Sequence, residues 1–185
     1  LRKWMLACYL VLNHKKGVSS MQLAKDINVT QKTAWFMLQR IQNCFNVDAK
    51  QCLEGEIEVD ETYIGGLNKN KHSNKKVKNA RGRSCKDKVP VFGMLQRDGF
   101  IIAKVVSDTK ARTLIPIINK VVCHGSTIFS DEWQAYKRLD PNLYDHGVVY
   151  HKKGAYVIGN RHTNTIEGFW GHLKRTLKSV HHWVS

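Results

Sequence analysis

The sequence predicts an α/β fold, a mixed sheet flanked by helices, preceded by a small all-α domain. Three observations predict it. Apolar residues recur at helical spacing up to about residue 47. After "NVDAKQCLEG", which reads as a linker, the period drops to two in "EIEVDETYIG". From there strand-like and helix-like segments alternate, and Asp98-Gly99 sits between two apolar runs as a hairpin signal. The expected domains are therefore 1–47 and 52–185.

In the first domain, Trp4, Ala7, Cys8 and Val11 mark one helix, closed by Gly17. "SSMQLAKDI" predicts a second, with Ser19 or Ser20 as N-cap and Leu23, Ala24 and Ile27 facing inward. "NVT" makes a tight turn. Thr30 then caps a third helix over "QKTAWFMLQRIQNCF", whose core stripe is Ala34, Leu38, Ile41 and Phe45. Helix, short turn and helix, with small Ala24 at the crossing, is the helix-turn-helix pattern. On that reading Gln31, Lys32, Thr33 and Arg40 lie on or beside the helix that enters the major groove. An ordinary three-helix bundle has the same spacing; the basic charge of the chain tips the reading to DNA binding.

In the second domain "EIEVDETYIG" is the first strand. Residues 68–88, rich in Lys, Arg, Asn and Gly, predict a long mobile loop. "VPVFGMLQR" and "FIIAKVVS" are paired strands. "TKARTLIPIINKVV" is a helix despite Pro116, "STIFS" a short buried strand and "DEWQAYKRL" a short helix. "YDHGVVYH" is a last strand, and "TNTIEGFWGHLKRTLKSV" a long helix.

Lys and Arg number 30 against 15 Asp and Glu, for a formal net charge of +15. That balance fits a polyanionic partner, of which nucleic acid is the commonest, or a charge that only aids solubility. No apolar run approaches the roughly 20 residues of a membrane span, and no signal peptide opens the chain, so a cytoplasmic protein without membrane contact is expected. Five cysteines, an odd number without a C-x-x-C pair, predict reduced thiols. A start at Leu1 and a stop at "HHWVS" read as a fragment of a longer protein.

Five of the 15 acidic residues crowd into Glu54, Glu56, Glu58, Asp60 and Glu61. Asp is disfavoured inside strands, so Asp60 needs a reason. Asp131 follows the fourth strand directly, and Glu167 lies in the first turn of the last helix. With the first and fourth strands adjacent, the two Asp side chains come together and a helix across the sheet can add Glu167. Three such carboxylates repel, and divalent cations remove the penalty. Two ions there would serve phosphoryl transfer. Local roles compete: Asp131 as N-cap of "EWQAYKRL" with Gln134 completing a capping box, and Glu167 closing a box opened by Asn164.

The blocks "VDETYIGG", "VPVFGML", "SDEWQAY" and "HTNTIEGFWGHLKR", in that order, resemble the DDE transposases of bacterial insertion sequences, in their ISXO-like branch. The resemblance runs from about Glu56 to the end of the chain. It implies a ribonuclease H-like catalytic domain and a triad, both catalytic and metal-binding, of Asp60, Asp131 and Glu167. It implies Mg²⁺, with Mn²⁺ as substitute, as the cofactor, and cleavage at element ends followed by strand transfer into target DNA. It also implies a homo-oligomer on paired ends; members of the family often carry an N-terminal zinc ribbon, and a start without one is consistent with the reading of a fragment. Lys174, two turns beyond Glu167, matches a basic position held to keep DNA near the metals; otherwise it is a solvated lysine. The basic loop, with Lys75, Lys76, Arg81 and Arg83, is a candidate clamp on the DNA backbone or a plain charged loop. His162 is a weaker candidate for touching DNA or a metal-bound water, and Tyr63 and Trp133 are expected to pack near the site. A ribonuclease H-like nuclease without strand transfer and a non-catalytic DNA-binding protein are the rival readings.

Overall fold

The computed structural model describes residues 1–44, 52–66, 68–78, 87–149 and 162–180. It contains two compact units. One holds three N-terminal helices and the turns of the last helix from His172 on; the other holds the sheet and the same helix up to Gly171.

The three N-terminal helices are α1 (Arg2–Asn13), α2 (Ser20–Asp26) and α3 (Gln31–Cys44). Ser19 Oγ accepts from Gln22 N, and Thr30 Oγ1 accepts from Thr33 N, both at 3.2 Å, so the predicted caps start α2 and α3. Asn28, at φ 50°, takes the left-handed conformation that the tight turn between them needs. Ala7, Leu23, Ala24, Ile27, Ala34, Met37, Leu38 and Ile41 form the buried core. Trp4 is not among them. Its ring meets Phe36 edge to face at a centroid distance of 6.4 Å on the surface. Phe45 lies outside the described residues.

The second unit is a five-stranded sheet with order β3-β2-β1-β4-β5. Its strands are β1 (Glu56–Ile64), β2 (Val89–Gln96), β3 (Ile101–Val105), β4 (Thr127–Ser130) and β5 (Asp145–Val148). β1, β2 and β3 are antiparallel neighbours; β4 and β5 run parallel to β1. The sheet is thus mixed, with the first and fourth strands adjacent as expected. One face of β1 carries Ile57 and Val59 into a core with Phe92, Met94, Ile128, Tyr136 and the inward residues Leu114, Ile118 and Val121 of α4 (Ala111–Val121). The other face receives the first turns of α5 (Asn164–Val180).

Three local expectations change. The segment predicted as a helix after Asp131 is a 3₁₀ helix, Gln134–Arg138. The basic segment expected as a mobile loop contains two 3₁₀ turns, Asn68–Asn70 and Ser73–Lys75, closed by a reciprocal pair of hydrogen bonds between the Asn68 side chain and the Val77 backbone. Cys52 and Cys123 are joined as a disulfide, with Cα atoms 5.4 Å apart, where reduced thiols were expected. The pairing was invisible because 71 residues separate the two; a parallel bridge between Leu53 and Val122 brings them together.

Candidate active site

The site begins with strand register. Glu56 pairs with Thr127 and Glu58 with Phe129 on the parallel neighbour. Carried forward two residues, the same register puts Asp60 level with Asp131, just past the end of β4. Asp60 points to the face of β1 that α5 covers, and its Oδ2 accepts a 3.0 Å hydrogen bond from Trp170 Nε1. Opposite Asp60 on β2 stands Gly93. A Cβ there would meet the Trp170 ring at 2.5 Å, so the missing side chain is what lets the indole lie on the sheet and reach the carboxylate.

α5 is held in register by a carboxylate from β1. Glu58 is fully buried, and its Oε2 accepts from Ile166 N at 3.0 Å, in the first turn of the helix. Its Oε1 accepts from Thr165 Oγ1 at 3.1 Å and from Arg97 Nε at 3.0 Å. Arg97 also pairs with Glu56, donates to His162 O at 3.0 Å and lies over the Phe129 ring at 4.4 Å. His162 Nδ1 sits 3.2 Å from Glu58 Oε1 without hydrogen-bond alignment, so His162 faces this cluster. A carboxylate at a helix N-terminus satisfies amides that the helix leaves unpaired and meets the positive end of its dipole.

Glu167, one residue on, faces away from Glu58 and is exposed. Its Oε1 accepts from Thr163 Oγ1 at 3.3 Å, so the capping partner is Thr163 rather than the predicted Asn164. Asp131 Oδ1 accepts from Trp133 N at 2.9 Å, but the residue at the cap of the following 3₁₀ helix is Trp133, so the N-cap role foreseen for Asp131 gives way to a local turn contact.

Asp60 senses the other two carboxylates. The Asp60 carboxyl is raised from 3.8 to about 6, first by burial and then by the negative charges of Asp131 and Glu167, against hydrogen bonds from the Glu61 backbone and Trp170 that lower it. As the side chains stand, no three acidic, His or Cys groups among the described residues converge closely enough to enclose a metal ion. The donor set is nonetheless all carboxylate oxygen, the chemistry that suits Mg²⁺ and Mn²⁺, and a cation would relieve the repulsion on Asp60. The residues fit such an ion in charge and donor type.

On the other face of β1, Glu61 Oε2 accepts from the buried Tyr136 hydroxyl at 2.6 Å, and burial with that neighbouring charge holds the phenol well above its ordinary range. Of the two aromatic residues expected near the site, Trp133 adjoins Asp131, to which its backbone N–H donates, whereas Tyr63 lies on the Glu61 face of β1, opposite Asp60. Tyr63 OH meets Thr109 Oγ1 at 3.2 Å, and Trp133 Nε1 donates to Thr109 O at 3.0 Å.

The predicted DNA contacts lie on several elements. Lys174 is exposed on α5, two turns beyond Glu167. Lys75 and Lys76 are exposed at and just after the second 3₁₀ turn. Arg81 and Arg83 lie outside the described residues. On α3, Lys32 is exposed and Arg40 stacks over Phe36 at 5.0 Å. Gln31 is tied to Ser20 Oγ at 3.0 Å and Thr33 to the Thr30 cap, so both are already engaged within the bundle. The sequence reading missed Glu58, Arg97, Gly93 and the Trp170 nitrogen. One signal was available: a glycine inside the apolar run "VPVFGML" marks a close approach.

Comparison with known proteins shows the family of the chain. The family model described as an ISXO2-like transposase domain matches residues 52–185. A protein in transposable element ISH50 of Halobacterium salinarum is 31% identical over 196 residues, covering 100% of this chain and 64% of its own length. A transposase-like protein of Haemophilus influenzae is 31% identical over 74 residues, 40% of this chain and 59% of that one. The chain therefore spans about 64% of the longer match. Among solved structures, a chain of the Mos1 strand transfer complex aligns over 92% of this chain and 73% of its own, at 10% identity and a TM-score of 0.31, too loose a likeness to fix a fold.

Proposed function

The chain belongs to the ISXO2-like transposase family, and from that premise we propose that it carries the catalytic unit of a DNA transposase. It cuts DNA at the ends of an insertion sequence and joins the freed 3′ ends to target DNA. The observation that carries this reading is the Asp60 carboxyl on β1, raised by burial and by the negative charges of Asp131, just past the end of β4, and Glu167, in the first turn of α5. The strand order β3-β2-β1-β4-β5 supports the ribonuclease H-like assignment of this unit.

In this reading Asp60, Asp131 and Glu167 hold Mg²⁺ or Mn²⁺. Such cations, when bound, supply Lewis acidity and charge neutralisation for phosphoryl transfer. The remaining work falls to the chain's own groups. Trp170 fixes the orientation of the Asp60 carboxylate through its 3.0 Å hydrogen bond. Glu58 and Arg97 lock the start of α5 against β1 and so set where Glu167 stands. Lys174 offers a point charge to a DNA phosphate from the same helix. α2 and α3 serve as a helix-turn-helix, with Lys32 and Arg40 toward DNA, and the protein works as a homo-oligomer on paired ends.

The test is Glu167→Gln, which keeps an acceptor for Thr163 but removes the charge. With a plasmid carrying the element ends and Mg²⁺, cleavage and strand transfer should fall at least about 100-fold while DNA binding and melting temperature hold. Full activity in this variant, or wild-type activity that survives EDTA, refutes the assignment. Cleavage without joined products would favour the nuclease reading.

A further inference from the structure

Linked to Asp131 through Trp133 is a pocket that the proposed mechanism does not use. It has a volume of about 360 Å³ and is bounded by Lys110, Ala111 and Arg112 at the start of α4 and by Trp133, Ala135 and Arg138 at the 3₁₀ helix. Pockets that hold small ligands run from about 300 to 1,000 Å³, so this one is sized for a single small group and not for a duplex.

Its walls follow from the sequence. Ala111 and Ala135 are small, which leaves the space open. Trp133 is pinned at both ends, its backbone N–H by Asp131 Oδ1 at 2.9 Å and its indole N–H by Thr109 O at 3.0 Å. It stands as a fixed apolar wall joined directly to a candidate catalytic acid. Three cations are among its lining residues, Lys110, Arg112 and Arg138. Arg112 is balanced by Asp108 at 3.5 Å. Among the described residues Lys110 and Arg138 have no acidic partner, so two positive charges remain in the lining of the cavity. A ligand that satisfies both features is an anion carrying a compact apolar body.

We propose that this cavity seats one backbone phosphate of DNA, between Lys110 and Arg138, with its deoxyribose against Trp133, and so delivers the neighbouring phosphodiester to Asp131. The inference rests on the transposase reading and deepens it by adding a DNA-positioning subsite. The contact is to backbone alone and is therefore independent of sequence.

The test is fluorescence anisotropy of the full chain with a labelled 30-base-pair duplex, in EDTA so that bound cations play no part, across a series of salt concentrations. The double variant Lys110→Gln/Arg138→Gln should weaken binding by about tenfold and flatten the log–log salt slope by about one, the loss of one phosphate contact. The control Lys120→Gln/Lys137→Gln removes the same charge from exposed positions outside the cavity and should change affinity less than about threefold. The charge-preserving Lys110→Arg/Arg138→Lys should bind within about twofold of wild type, which also guards against a folding artefact. Equal losses in the pocket and control variants, with wild-type binding intact, overturn the subsite and leave the transposase reading standing. A wild-type chain that does not bind the duplex overturns both.

Discussion

Asp60 is a carboxyl that folding disfavours in its ionised form. Its folded value of about 6 lies above the ordinary 3.8, chiefly through burial and secondarily through Asp131 and Glu167. An acid raised in this way contributes stability that is fully present below about pH 3.8 and is lost as pH rises through 6. The shift is worth on the order of 3 kcal/mol. Asp60→Asn should therefore stabilise the metal-free protein at pH 8 by up to about that amount, and should have little effect at pH 3.5. Urea unfolding in EDTA at the two pH values measures it; an equal effect at both would contradict the linkage. At this scale the sequence was legible where a residue type clashed with its setting. An Asp within a strand, an Asp at a strand end and a Glu in a first helical turn stood out. Gly93 and the Trp170 nitrogen did not, because their roles exist only once β2 and α5 meet over Asp60.

At the level of elements, α5 depends on a buried polar cluster rather than on helix propensity. Glu58 accepts from Arg97, Thr165 and the Ile166 amide in one desolvated spot. Removing one partner of such a pair leaves a buried charge, so Arg97→Met should destabilise the protein by about 3–5 kcal/mol. Glu58→Leu/Arg97→Leu should cost less than the sum of its single variants, which a double-mutant cycle by denaturant unfolding reads. Gly93→Ala sets a methyl against the Trp170 ring and should cost about 1–3 kcal/mol, with a blue-to-red shift in tryptophan emission as the indole is displaced. All five strands and α1 to α5 were readable from period and turn signals, since those depend on neighbours in the chain. The Glu58–Arg97 pair spans 39 residues and the Glu58–Thr165 contact 107, distances over which local pattern carries no information. For the same reason the strand acids looked alike in sequence, while the fold divides Glu58, Asp60 and Glu61 among helix anchor, candidate metal site and tyrosine partner.

For the molecule as a whole, a net charge of +15 dominates any encounter with a polyanion. If six or more phosphates are neutralised, DNA affinity should drop by about 10³ between 50 and 200 mM salt, measured by the same anisotropy titration. No helix among the described residues is long and apolar enough to cross a membrane. The central claim is that Asp60, Asp131 and Glu167 share one site for divalent cations. Mn²⁺ binding followed by electron paramagnetic resonance in the absence of DNA tests it most directly. The account predicts that wild type takes up Mn²⁺ and that Asp60→Asn, Asp131→Asn and Glu167→Gln each weaken binding at least about tenfold. Unchanged Mn²⁺ affinity in all three variants would contradict it.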